Sequence, residues 1–114
     1  MKPPFVLDVR FYATTQGHEP VRDWLRSLAP EARKAIGEDI KTVQFGWPLG
    51  MPLVRKLDSS LWEVRSMIDG GIARVLFTTT GQTMVLVHGF IKKTDKTPKQ
   101  IIEVARDRAK EVRK

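Results

Sequence analysis

Residues 61–90 contain three short apolar segments in series, separated by two turn sequences. The apolar and β-branched patterns that predict strands cover residues 61–68, 72–79 and 83–90. Asp69–Gly71 and Thr80–Gln82 carry the glycines that tight hairpin turns need. Strands joined by such short turns pair as antiparallel neighbours. The stretch therefore predicts a three-stranded meander.

One further strand and three helices are predicted around this meander. VLDVRFYA, residues 6–13, has a strand pattern, and Pro20 suits the first turn of a helix over about residues 19–28. Pro30 starts a second helix, which ends before the Gly- and Pro-rich FGWPLGMP, so the two helices form an αα-hairpin. About ten loop residues then lead to the meander.

A terminal helix is predicted after the meander, with Thr97 as N-cap, Pro98 in the first turn and Gln100 as capping-box partner. The order β-α-α-β-β-β-α in a single domain over residues 1–114 predicts an α+β fold. We expect a small twisted antiparallel sheet packed by the helical hairpin and the C-terminal helix, with helices covering one face.

Composition limits the possible functions. The chain has no cysteine and two histidines, so disulfides and thiolate metal sites are excluded and we predict neither a metal nor a cofactor. The short apolar run near the N-terminus predicts no signal peptide, no membrane span and a cytoplasmic location.

Positive charge is concentrated in the last third of the chain. The net charge is +7, and residues 78–114 hold 9 basic and 4 acidic groups, which is +5 of that total. A cationic surface of this kind suits a polyanion, most commonly a nucleic acid. A charge bias that only increases solubility is the alternative.

Two arginines are predicted to oppose each other in the first hairpin. If Asp69 and Gly70 form a two-residue type I′ loop, Arg65 pairs with Arg74, and like charges placed opposite are destabilising. Forked guanidinium groups suit a phosphate, which gives a phosphate clamp. Glu63 on the same face offers the alternative of an internal ion-pair network. A three-residue loop through Gly71 would place the arginines on opposite faces.

The next strand leads into a run of cations beside an aromatic residue. Phe90 is followed by Lys92, Lys93, Lys96 and Lys99, and an exposed aromatic residue beside cations can hold an unstacked base and its backbone. Phe90 is equally compatible with a core position. Gly89 is a candidate bulge that re-aims Phe90.

The LWEVR strand, the Arg74 strand and HGFIKKTDKTP followed by a basic helix resemble the RelE/HigB superfamily of toxin–antitoxin toxins, specifically its phage-derived HigB-like branch. The resemblance covers about residues 5–113. It implies a RelE-like fold, cleavage of messenger RNA in the ribosomal A site, and inhibition by a cognate antitoxin, usually a helix-turn-helix protein. Contact with operator DNA would occur only through that antitoxin.

By this resemblance Arg65, Arg74, Lys92 and Lys93 are the candidate catalytic residues. The candidate RNA-binding residues are Lys56, His88, Phe90, Lys96 and Lys99. RNA supplies its own nucleophile, the 2′-hydroxyl, so cleavage needs a base, an acid and charge stabilisation but no metal. Lys92 or Lys93 is the preferred base, because neighbouring positive charge disfavours a protonated amine.

His88 is a second candidate base, although the predicted register points its side chain away from the arginines. The chain lacks the C-terminal tyrosine and the clustered histidines of some relatives, so the base is not identified. Lys56, and a terminal-helix stripe of Lys99, Arg106, Lys110 and Arg113, could bind RNA or be solvated.

Two other functions fit the same residues. One is a toxin of this fold that binds without cleaving, as gyrase-inhibiting relatives do. The other is a non-toxic nucleic-acid-binding module, for which binding to arbitrary RNA would be salt-sensitive.

Overall fold

The computed structural model describes residues 7–94 and 96–113 and has an α+β fold. In chain order the elements are β1 (Asp8–Phe11), α1 (Pro20–Arg26), α2 (Pro30–Gly46), β2 (Val54–Asp58), β3 (Leu61–Ile68), β4 (Gly71–Thr80), β5 (Thr83–Lys92) and α3 (Lys99–Val112). The predicted fold class, the helical hairpin, the meander and the terminal helix are confirmed. Residue 6, where the first strand was predicted to begin, lies outside the described residues.

The sheet is mixed rather than purely antiparallel. Its strand order is β1-β5-β4-β3-β2, and β1 pairs in parallel with β5, with Asp8 opposite Thr83. The other three pairings are antiparallel. A parallel partner requires a long connection, and here that connection holds the helical hairpin and most of the meander. The predicted antiparallel pairing thus holds for β2 to β5, while β1 joins the sheet in parallel.

Strand β2 lies where a loop was predicted. It pairs with β3, placing Val54 opposite Val64 and Arg55 opposite Glu63. The segment follows Pro52 and carries charges at three of its five positions, which is why it lacked a clear strand pattern. Val54 is buried in the core, and that contact anchors the strand.

Helices cover both faces of the sheet, contrary to the prediction of one covered face. Helices α1 and α2 pack on one side, where the buried cluster contains Val21, Ile36, Ile40, Val43, Val64, Val75 and Phe77. Helix α3 packs on the other side, with Leu61, Leu76, Val87, Ala105 and Ala109. Because side chains alternate along each strand, neighbouring residues of β3 and β4 belong to different cores.

The turn between β3 and β4 sets the register of the arginines. Ile68 pairs with Gly71, so Asp69 and Gly70 form a two-residue loop. Gly70 has a φ of +85°, which glycine adopts without strain. No non-glycine residue in the described part of the chain has a positive φ, so the turn is not of type I′. The predicted register is nevertheless confirmed.

Candidate functional site

Arg65 and Arg74 face each other directly across β3 and β4. Leu61 and Leu76 pack against α3, and alternation along β3 and β4 places Arg65 and Arg74 on that same side of the sheet. The exposure of the two arginines differs. Arg74 is fully buried, whereas 13% of the Arg65 side chain is exposed. Of this pair, Arg65 is the arginine that a solvent-borne phosphate can reach.

Glu63 lies between the two guanidinium groups. Its Oε1 atom is 3.8 Å from Nη1 of Arg74 and 3.9 Å from Nε of Arg65, and the side chain is fully buried. One carboxylate shared by two arginines lowers their mutual repulsion. The internal ion-pair network, one of the two alternatives at the sequence level, is thus present in the structure.

Arg74 is enclosed by the segment that joins β5 to α3. Its guanidinium donates to the carbonyl of Thr94 and, at 3.2 Å, to Oγ1 of Thr97, and its Cζ atom lies 5.8 Å from the centre of the Phe90 ring. The Thr97 hydroxyl in turn donates to Oε2 of Glu63 at 2.5 Å. These contacts anchor the connecting segment to the sheet.

Thr97 does not cap α3 as predicted. The cap position is Pro98, and no side chain caps the helix there. The buried Thr97 hydroxyl accepts a hydrogen bond from Arg74 and donates one to Glu63, so Thr97 is part of the ion-pair network. A short-range capping pattern could not reveal these partners, which are distant in sequence.

Arg55 is a third arginine on this face and was not among the predicted site residues. It pairs with Glu63 across β2 and β3, and cross-strand partners share a face. Assigning β2 as a strand would have placed Arg55 beside Glu63, because alternation puts Val54 in the core and Arg55 on the opposite side.

The predicted lysines separate into two groups. Lys92 pairs with Ile72 at the end of β5, on the same face as Arg74 and Phe90, and is half-buried. The exposed lysines of the following segment and helix start are Lys93, Lys96 and Lys99. Lys56 pairs with Trp62, on the α1–α2 side of the sheet, so it does not belong to the arginine face.

His88 faces α3, contrary to the predicted orientation. A β-bulge occurs where Leu76 pairs with His88 but Phe77 pairs with Leu86, leaving Val87 as the extra residue. The His88 ring lies 6.1 Å from the Phe90 ring, and its Nδ1 lies 3.4 Å from Nη1 of Arg108. His88 therefore lies on the arginine face.

The environment of His88 favours a neutral ring. Burial, and secondly the positive charge of Arg108, hold the pKa of His88 below its ordinary value of 6.5. Arg108 can only donate, so Nδ1 accepts from it and the ring proton is assigned to Nε2. Arg108 also donates to the carbonyl of Val87 at 2.8 Å.

Gly89 has a packing role rather than the predicted bulge, which lies two residues earlier. A Cβ atom at this position would lie 2.3 Å from Cε3 of Trp24. The indole of α1 therefore rests directly on the β5 backbone, which only glycine permits. Phe90 is half-buried against the α3 core and the Arg74 guanidinium.

The basic side of α3 is partly engaged within the chain. Nε of Arg106 is 2.7 Å from Oδ2 of Asp58, and Arg113 donates to the carbonyl of Thr79. Lys110 is exposed. These contacts tie the helix to the ends of β2 and β4, so the stripe is not wholly a solvated face.

Comparison with known families identifies the chain. Residues 23–110, about three quarters of the 114 residues, match the model of a family described as phage-derived protein Gp49-like (DUF891). The chain belongs to this Gp49-like family. Gp49-like proteins are members of the RelE/HigB-like toxins, which confirms the resemblance at that level, while the HigB-like branch stays a prediction. No curated protein matches the sequence significantly.

Membership of a toxin family implies an antitoxin partner for this Gp49-like protein. Within residues 7–94 and 96–113, no helix combines the length and the apolar composition of a membrane span. The same residues bring together no cluster of three His, Asp or Glu side chains able to hold a metal ion.

Proposed function

We propose that this Gp49-like protein is the toxin of a type II toxin–antitoxin module and cleaves messenger RNA on the ribosome without a metal. The observation that carries the proposal is that Arg65, Phe90 and Lys92 lie on one face of β3–β5, with the exposed Lys93 directly after Lys92. Cations next to an aromatic ring suit a phosphodiester and its base. The excess of +5 in residues 78–114 adds long-range attraction for RNA.

The proposed reaction is an attack of the ribose 2′-oxygen on the adjacent phosphorus. The 2′-hydroxyl proton passes to a base, the bond from phosphorus to the 5′-oxygen breaks, and an acid protonates the leaving oxygen. The products are a 2′,3′-cyclic phosphate and a 5′-hydroxyl. Arg65 stabilises the charge that develops on the phosphate oxygens, a kind of contribution worth about 10²–10³ in rate.

Lys92 and Lys93 remain the preferred bases. His88 is neutral at neutral pH, but its Nδ1 accepts from Arg108 and its Nε2 carries the proton, so it is oriented as a donor. In this proposal Arg74 is a positioning residue, because its guanidinium is held by Glu63, Thr94 and Thr97 rather than exposed to RNA.

The test compares induced expression of the parent chain with Arg65→Gln, Lys92→Gln and Lys93→Gln. Lys56→Gln is the matched control, since Lys56 is an exposed cation on the opposite face of the sheet. We expect growth arrest and codon-positioned cuts in translated transcripts for the parent and the control. Arg65→Gln should cleave about 10²-fold more slowly. In a plot of the logarithm of its RNA-binding constant against the logarithm of the salt concentration, the slope should be smaller by about 0.7 than for the parent.

Loss of activity in Lys56→Gln equal to that in Arg65→Gln would contradict this placement of the site. A parent chain that causes no growth arrest would contradict the toxin function and favour a non-toxic nucleic-acid-binding module.

A non-cleaving toxin is the second candidate, and the enclosure of Arg74 favours it. With Arg74 shut in by Glu63 and Thr97, the face offers RNA fewer guanidinium groups than a two-arginine clamp would. Growth arrest of the parent without any new transcript ends would select this function over the nuclease.

A further inference from the structure

A groove of about 600 Å³ lies at the edge of the sheet, next to Arg65. We call it the Met67 groove. Its walls include Glu38 and Asp39 from α2, Pro52 and Leu53 from the loop before β2, and Arg65 and Met67 from β3. Its volume exceeds that of three other clefts in the described part of the chain, which measure about 360 to 390 Å³.

Two exposed methionines lie here: Met67 lines the groove, and Met51 precedes Pro52 of its wall. Met67 is 75% exposed and Met51, whose Sδ atom lies 4.0 Å from Nη1 of Arg65, is 60% exposed. Large apolar side chains left in solvent next to a groove mark protein contact sites, and flexible methionines adapt to the surface that covers them. Binding of RNA does not explain why these two methionine side chains are exposed.

The charges of the groove also disfavour RNA. Glu38 and Asp39 place two carboxylates on the α2 wall, against the one guanidinium of Arg65 on the sheet wall. A phosphodiester backbone in the groove would be repelled by the α2 wall, although the chain as a whole carries +7. A protein segment with both kinds of charge complements both walls.

We infer that the Met67 groove is the docking site for an amphipathic segment of the antitoxin, an inference that rests on the proposed function. Apolar side chains of that segment cover Met67 and Leu53, a basic side chain lies beside Glu38 and Asp39, and a carboxylate contacts Arg65. Since Arg65 also serves RNA in the proposed function, antitoxin and RNA compete for this side chain.

The test measures binding of the purified antitoxin, the product of the same operon, to the full-length chain by calorimetry. Met67→Glu places a charge in the groove and should weaken binding at least tenfold. Val104→Glu is the matched control, because Val104 is a 41% exposed apolar residue on α3, and it should bind within twofold of the parent. Asp39→Lys should also weaken binding at least tenfold, whereas Glu103→Lys on α3 should not.

A second measurement tests competition. The parent in complex with the antitoxin should no longer bind RNA. Free Met67→Gln, which adds no charge beside Arg65, should keep the RNA affinity of the free parent. Unfolding of the variant is monitored by circular dichroism, and the exposure of Met67 predicts a retained fold.

Unchanged antitoxin affinity in Met67→Glu, an equal loss in Val104→Glu, or undiminished RNA binding by the complex would overturn the inference. So would no binding of the operon product to the parent, or a parent dimer in sedimentation that Met67→Glu dissociates. A parent that binds antitoxin in the expected pattern but neither cleaves RNA nor arrests growth would contradict the proposed function alone.

Discussion

Truncation of Arg74 to alanine is expected to destabilise the fold by about 4 kcal/mol. Removing one partner of a buried ion pair costs about 3–5 kcal/mol, because the other charge is left in a low-dielectric interior. Here Glu63 is the charge left behind, and the contacts of Arg74 with Thr97 and Phe90 are lost as well. At about 0.05–0.15 kcal/mol per residue, a chain of 114 residues has a total stability of about 6–17 kcal/mol, so the loss is a large fraction of it.

Urea unfolding followed by tryptophan fluorescence measures this effect. Trp47 and Trp62 pack against Phe77 in the core, with ring centres 5.4 and 5.9 Å from the Phe77 ring, so their emission reports the folded state. With an m-value of about 2 kcal/mol per molar urea, the midpoint should fall by about 2 M.

A double variant separates the ion pair from packing. Glu63→Leu with Arg74→Met replaces both charges by apolar side chains, which is often close to neutral for a buried pair. We expect the double variant to be more stable than Glu63→Leu or Arg74→Met alone, and this cycle should give a coupling energy of about 2–3 kcal/mol between the two sites.

The result that would refute this reasoning is a midpoint of Arg74→Ala within about 0.5 M of the parent, together with lost RNA binding. Arg74 would then act on RNA directly. Toxicity lost in an unfolded Arg74→Ala variant, by contrast, says nothing about catalysis, so Arg65→Gln is the more informative substitution for function.

Two other substitutions have outcomes that the structure predicts. Gly89→Ala should lower the free energy of unfolding by about 1–3 kcal/mol, because the new Cβ overlaps Trp24. In Gly37→Ala, in α2, the new Cβ meets no atom within 4 Å, so this variant should be more stable by up to about 1 kcal/mol. Thermal unfolding of both variants measures these changes. Burial and Arg108 lower the pKa of His88, so below its ordinary value of 6.5 the unfolded chain binds more protons there and the free energy of unfolding falls with falling pH. His88→Gln should lack this part of the fall between about pH 7 and pH 5 in parallel urea titrations, and an unchanged slope would contradict the assignment.

The hairpin register could be predicted because local chemistry determines it. Asp69 and Gly70 leave two residues for the turn, and that count alone sets Arg65 opposite Arg74. The meander strands β3–β5 lie within two residues of their predicted ends for the same reason.

Features that depend on distant contacts could not be predicted in this way. The parallel partner of β1 and the strand β2 are selected by the assembled sheet, and Val87, the extra residue of the bulge, packs in the buried cluster that contains α3 residues. The bulge turned His88 toward the arginine face, reversing an orientation inferred from simple alternation.

The difference in exposure between Arg65 and Arg74 arises from contacts that Arg74 makes with residues distant in sequence. In sequence and register the two are equivalent, but the segment after β5 folds back so that Thr94 and Thr97 enclose Arg74. Freeing Arg74 for RNA would expose the buried pair with Glu63 at a cost of about 3–5 kcal/mol. A charge-assisted hydrogen bond to phosphate returns only about 1.5–3 kcal/mol. RNA therefore gains more from Arg65 and the lysines that follow β5, which reach solvent without breaking that pair.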